Sequence, residues 1–186
     1  MLNAFRDLGC NVDVVSGYSV ERKRGISIVK EKIARGVKYD FVYSESSTMP
    51  TVLTDRHHLP LSPFSDFLFF RFCRNENIPI GLFYRDIYWL FEGYGRGLGP
   101  VKALVAKAAY RFDLWVYKQT LNKLYLPSVQ MGEYVPYVSP KIFDALPPGH
   151  TSPEVENQSM IYDGQTRPLR LFYVGGMSSH YQLHEL

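Results

Sequence analysis

Ile78-Pro79-Ile80-Gly81-Leu82-Phe83-Tyr84-Arg85-Asp86-Ile87-Tyr88-Trp89 is the stretch on which the fold turns. An apolar run of strand length ends in an arginine–aspartate pair, and two aromatic residues follow at once. In an α/β sheet, ligands meet the chain just past the carboxyl ends of parallel strands. A charged pair and an indole placed there suit a polar, ring-shaped ligand such as a sugar. Asp86 would accept hydrogen bonds from hydroxyls, Arg85 would hold an anion through two parallel bonds, and Trp89 would offer a stacking face, with Tyr88 beside it. The bland alternative is an internal Arg85–Asp86 pair with Trp89 packed into the core.

Working outward, helical and strand patterns alternate on both sides. Residues 1–8 read as the end of an amphipathic helix stopped by Gly9, and Asn11 to Val15 as a short strand. Residues 20–35 form a second helix with a solvated basic face, closed by Gly36. Tyr39 to Tyr43 is a strand, and Ser44-Glu45-Ser46-Ser47 follows at its carboxyl end, where Ser44, Glu45 and Ser46 either bond the same ligand as Arg85 or form a helix cap or solvated turn. Residues 48–63 carry three prolines and read as a loop. Residues 65–75 predict a buried helix, 78–84 the next strand, 92–100 a glycine loop, and 101–121 the longest helix. Strands at 123–126 and 141–145 follow, with Ser128 placed to cap a short helix between them. Alternation of this kind predicts a parallel sheet covered on both faces.

Composition narrows the class. Of the 186 residues, 46% are hydrophobic, which is the globular range. The net charge of +3 is modest and its basic residues are dispersed, which argues against nucleic acid as a partner. Two cysteines, Cys10 and Cys73, make no disulfide scaffold and fit a reducing cytoplasm. No apolar run reaches the length of a membrane span, and residue 1 opens into a mixed helix pattern with no leader expected. The helix over 101–121 mixes Lys102, Lys107, Arg111 and Lys118 with large aromatics. It either rests on an anionic membrane as a peripheral contact or, as such helices more often do, buries its aromatics against its own sheet. His57-His58 sits in the proline-flanked loop, and His180 and His184 lack a third ligand, so no metal site is expected. Gly93, Gly95, Gly97 and Gly99 alternate, but they do not follow a strand with phosphate-loop spacing.

The order of elements resembles the amino-terminal half of a GT-B glycosyltransferase, of the broad retaining class that includes bacterial mannosyl- and glucosyltransferases. Leu8-Gly9-Cys10-Asn11-Val12-Asp13-Val14-Val15 is similar to that family's "LxxxGHxVxVV" segment. Tyr39-Asp40-Phe41-Val42-Tyr43 is similar to its "yDvvy" strand, and Ile78 to Asp86 to its "iPvvxxxHD" strand. Leu124-Tyr125-Leu126-Pro127-Ser128 resembles its "vxxxS" strand. Leu171-Phe172-Tyr173-Val174-Gly175-Gly176-Met177-Ser178 resembles "ilyvGxls", which opens the donor-binding domain. Where many relatives carry His-Asp, this chain has Arg85-Asp86, and an arginine holds an anion but does not shuttle a proton at neutral pH.

The resemblance implies a Rossmann-like acceptor-side domain over residues 1–148 with its first strand missing, a linker over 149–168, and the start of a truncated donor domain over 169–186. Gly175 and Gly176 would let backbone amides approach a donor diphosphate at the next helix terminus. The full enzyme would transfer a sugar from a nucleotide-sugar donor, a substrate and not a cofactor, to a glycan, glycolipid or glycoprotein acceptor in the cytoplasm. Such enzymes generally need no metal, and this fragment is expected to be inactive alone. Apolar surface left at the interdomain face would favour self-association. The alternative is a non-catalytic carbohydrate- or partner-binding Rossmann-like subunit.

Overall fold

The computed structural model describes residues 2–58, 63–95 and 97–147, all inside the compact unit that spans Met1–Gly149. The expected linker, the strand at 169–174, Gly175, Gly176, His180 and His184 lie outside the described residues. The elements run α1 (Leu2–Asp7), α2 (Ser19–Ala34), β1 (Val42–Glu45), α3 (Ser65–Asn75), β2 (Ile80–Phe83), α4 (Pro100–Thr120), β3 (Lys123–Leu126) and β4 (Phe143–Ala145). The four strands form one sheet in the order β1-β2-β3-β4, parallel at every pairing. This is an α/β, Rossmann-like arrangement.

Register decides which residues face which layer. Val42 pairs with Ile80, Leu82 with Leu124, and Leu126 with Ala145. These residues share one face, and Ile80, Leu82, Leu124 and Leu126 are almost fully buried on it. Ile26 of α2, Phe69, Phe70 and Cys73 of α3, and Tyr110, Leu114 and Tyr117 of α4 join them in the core. Tyr43, Gly81, Phe83 and Tyr125 share the opposite face, where Phe5 of α1 packs edge-on against Tyr43 at 5.4 Å. Lys123 and Asp144 pair across that face at 3.0 Å, in solvent. So α2, α3 and α4 cover one face of the sheet, and α1 lies on the other.

Local chemistry explains the element ends. Proline has no N–H for the ladder, so β2 starts after Pro79, whose carbonyl accepts from Val42 N–H at 2.8 Å. With that bond β1 starts three residues later and ends two residues later than the expected Tyr39–Tyr43 strand, and Ser44 and Glu45 fall inside it. Asn11 to Val15 joins no ladder; Val15 packs instead against α2 at Gly25. The first N–H of α2 finds its acceptor at a distance: Asp55 Oδ1 takes the Ser19 N–H bond at 2.7 Å. Pro100 opens α4 at its first turn, where a missing N–H costs nothing. Ser128 accepts from Met131 N–H, the cap its position predicts.

On α4 the aromatic face turns inward, as expected of a core helix, with Tyr110 and Tyr117 buried. Its first turns do not follow: Val101 is 72% and Leu104 67% exposed. Trp115 is 46% exposed and stacks on Phe112. Among the described residues no helix is long and apolar enough to cross a membrane.

Candidate functional site

The carboxyl ends of β1 and β2 are tied together. Ser46 N–H donates to the Phe83 carbonyl at 2.9 Å, and Arg85 N–H donates to Ser46 Oγ at 3.1 Å. These bonds bring Glu45, Ser46 and Arg85 to one pocket of about 540 Å³, which Ser47, Thr48, Met49 and Thr54 complete. The placement follows from the parallel register, because Glu45 sits opposite Phe83 at the last rung. Arg85 and Glu45 are exposed, while Ser46 is buried beneath them. A guanidinium and a carboxylate over a floor of hydroxyls can bind a hydroxyl-rich or anionic ligand.

Asp86 turns the other way. It is half-buried, its Oδ1 accepts weakly from Tyr88 N–H at 3.4 Å, and its Oδ2 is buried without a hydrogen-bond partner. Burial pushes its carboxyl above the usual carboxylate range, which the Tyr88 N–H, Arg85 and Thr48 only partly offset. Arg85 and Asp86 form no ion pair, so the internal pair that the sequence offered as an alternative is not made.

Trp89 corrects the stacking expectation. It is 2% exposed, its ring stacks on Tyr110 at 5.3 Å, and its indole N–H donates to Tyr84 Oη at 2.9 Å. The helical turn over Tyr88–Leu90 folds the indole back under α4 instead of leaving it at the strand end. Tyr88 is exposed and meets Phe91 edge-on at 5.8 Å. Of the expected residues, then, Glu45, Ser46 and Arg85 share a pocket, Asp86 lies next to them with its carboxyl turned inward, and Trp89 belongs to the core.

Some contributors carry no sequence signal. The 47–55 loop reaches α4 through two bonds: Tyr110 Oη donates to the Thr48 carbonyl, and Thr51 N–H donates to Asp113 Oδ2 at 2.7 Å. Asp113 is 7% exposed, and burial pushes its carboxyl up to about 7 against the opposing pull of Thr51. Arg22 of α2 grips Asp66 of α3 through both carboxylate oxygens, at 3.1 and 3.2 Å, and donates to Thr54. These contacts hold the loop that walls the pocket. His58 Nδ1 lies 3.0 Å from the Leu53 carbonyl, and among the described residues no group of histidine, cysteine or carboxylate side chains could hold a metal ion. No family model, no curated protein and no solved structure matches the chain.

Proposed function

We propose that this chain is the acceptor-binding half of a glycosyltransferase of the GT-B type, and that the pocket at the carboxyl ends of β1 and β2 holds the acceptor glycan. The observation that supports this most directly is the meeting of Arg85, Glu45 and Ser46 at the strand ends, beside the partnerless oxygen of Asp86. Strand ends are where ligands bind in open parallel sheets. Glu45 and the Ser46–Thr48 hydroxyls bond sugar hydroxyls in this reading. Arg85 holds a phosphate or carboxylate on the acceptor. A nucleotide-sugar donor would be held by a second α/β domain, and closure of the two would align its anomeric carbon with that hydroxyl. The exposed apolar turns of α4, with Lys102 among them, suit peripheral contact with a membrane that carries a lipid-linked acceptor.

Amide chemical-shift mapping of the 186-residue chain with a panel of neutral and phosphorylated oligosaccharides tests the reading. Millimolar binding that moves Ser46, Thr48 and Arg85, and that Arg85→Ala weakens at least tenfold for the phosphorylated members, supports it. A panel that moves none of these amides overturns it. Incubated with nucleotide sugars and the same acceptors, the chain alone is expected to transfer no sugar.

A further inference from the structure

Ser47, Thr48, Met49 and Thr54 of the 47–55 loop wall the pocket at the ends of β1 and β2. The loop's apolar hold on α4 is narrow. Its short helical turn, Thr51–Leu53, sets Leu53 against Ala106 and Ala109, with Val52 and Tyr94 alongside. Two alanines give a leucine few atoms to touch, so the loop's seat depends on polar bonds. Tyr110 Oη donates to the Thr48 carbonyl, Arg22 donates to Thr54 Oγ1 at 3.1 Å, and Thr51 N–H donates to Asp113 Oδ2 at 2.7 Å. The last of these puts a titratable acceptor under the middle of the loop.

Asp113 is almost fully buried. Arg22 of α2, Asp66 of α3, Tyr117 of its own helix and Tyr84 beyond β2 face it. Arg22 does not neutralise it, because both oxygens of Asp66 hold that guanidinium at 3.1 and 3.2 Å. Burial, with the Asp66 charge added, pushes the Asp113 carboxyl up to about 7 against the pull of Thr51 and Arg22. Burial also pushes the Tyr84 hydroxyl up to about 12 and the Tyr117 hydroxyl well above its usual range, so both stay neutral at physiological pH.

A group that is neutral beneath a loop and charged in water couples that loop to pH. When the loop lifts, Asp113 meets water and its carboxyl returns to the ordinary aspartate range, near 4. Lifting therefore becomes easier as pH rises from about 4 to about 7, and no easier above that. Between pH 5 and pH 8 the ratio of lifted to seated loop rises by up to about 80-fold. Thinly packed loops open in this way without the rest of the domain.

We propose that Asp113 is a positioning residue for the acceptor pocket: as a neutral acid it seats the 47–55 loop on α4 through Thr51, and as a carboxylate it lets the loop lift and carry Thr48 and Met49 out of the pocket wall. What the pocket holds rests on the glycan reading above; the latch does not. Other titratable groups touch the same loop. Asp55 is held below the usual carboxylate range by Ser19 and stays ionised. Asp86 meets the loop at Thr48. His58 Nδ1 lies 3.0 Å from the Leu53 carbonyl, and imidazole is the side chain that commonly changes charge between pH 5 and 8. Asp113→Asn keeps all three and removes only the Asp113 proton.

The test is amide hydrogen exchange of the 186-residue chain at pH 5, 6, 7 and 8, each rate divided by its intrinsic value. Thr51 should lose at least tenfold in protection from pH 5 to pH 8. It should also stay at least tenfold less protected than Leu82 and Leu124 of the sheet, which marks a local opening. In Asp113→Asn the protection of Thr51 should not change with pH. Constant protection of Thr51 in the wild type overturns the proposal, as does the same fall in the variant. Protection of Thr51 equal to that of the sheet at every pH also overturns it, since the loop then opens only when the domain unfolds. Should Asp113→Asn fail to fold, the carboxyl carbon shift of wild-type Asp113 is titrated instead. A midpoint above about 6 supports the latch, and a lower one overturns it. No sugar is present in either measurement, so failure of the latch and failure of the oligosaccharide mapping are separate results.

Discussion

Asp113 carries its carboxyl on the inward face of α4 with Thr51 N–H as a donor. Burial pushes its carboxyl up to about 7 in the folded protein, well above the ordinary aspartate range. Below about pH 4 it is neutral in both states. From there to about pH 7 the unfolded chain ionises and the folded one does not, so stability falls as pH rises, by about 4 kcal/mol in all. Asp113→Asn keeps an acceptor for Thr51 and removes this dependence. Urea titrations at pH 4.5, 6 and 7.5 should therefore give wild-type and variant curves that diverge in the variant's favour as pH rises. Trp89 is the second residue with a large expected effect. Trp89→Ala removes the stack on Tyr110 and the bond to Tyr84 and should cost about 3–5 kcal/mol in the same assay. At this scale the sequence marked Arg85, Glu45 and Ser46 as strand-end residues, and the three line one pocket. It could not place Trp89, because a strand-end aromatic reads alike whether it faces ligand or core. Asp113 was illegible for a related reason: a single carboxylate in an amphipathic helix looks solvated until the loop over 47–55 covers it.

Between elements, contacts distant in sequence set the boundaries. Asp55 caps α2 from a loop that the proline pattern marked only as irregular. Asp55→Ala should lower the urea midpoint without changing the slope, and should speed exchange of the Ser19 and Val20 amides. The short helical stretch Val129–Tyr134 seats on the sheet through Gly132, where an added Cβ would lie 2.8 Å from the Phe143 ring and 3.1 Å from Leu126. Both neighbours are packed, so Gly132→Ala should cost about 1–3 kcal/mol, read from thermal unfolding. Helix positions were legible because apolar spacing and stop signals agree with tertiary packing in α2, α3 and α4. The first two strands were less so. β1 is displaced because its register answers to Pro79 on the neighbouring strand. The 11–15 segment alternates as a strand should, yet a ladder also needs a partner at hydrogen-bonding distance.

For the whole molecule, the outer edge of β1, which ends the four-stranded sheet, favours association between copies. Sedimentation velocity should show a concentration-dependent shift to larger species, and Phe41→Lys, at an exposed position leading into β1, should reduce it without lowering Tm by more than a few degrees. Monomer at all concentrations would assign that edge no part in association. The parallel sheet and its helix layers follow from alternation alone.

The two tryptophans divide the molecule in a way that can be read optically. Trp89 is sealed under α4 and Trp115 stands at the surface on the same helix. Iodide should quench one component of the emission and leave the other, blue-shifted component intact until the chain unfolds. The protein thus carries an internal pair of fluorophores, one reporting solvent and one reporting the integrity of the core around Tyr84 and Tyr110.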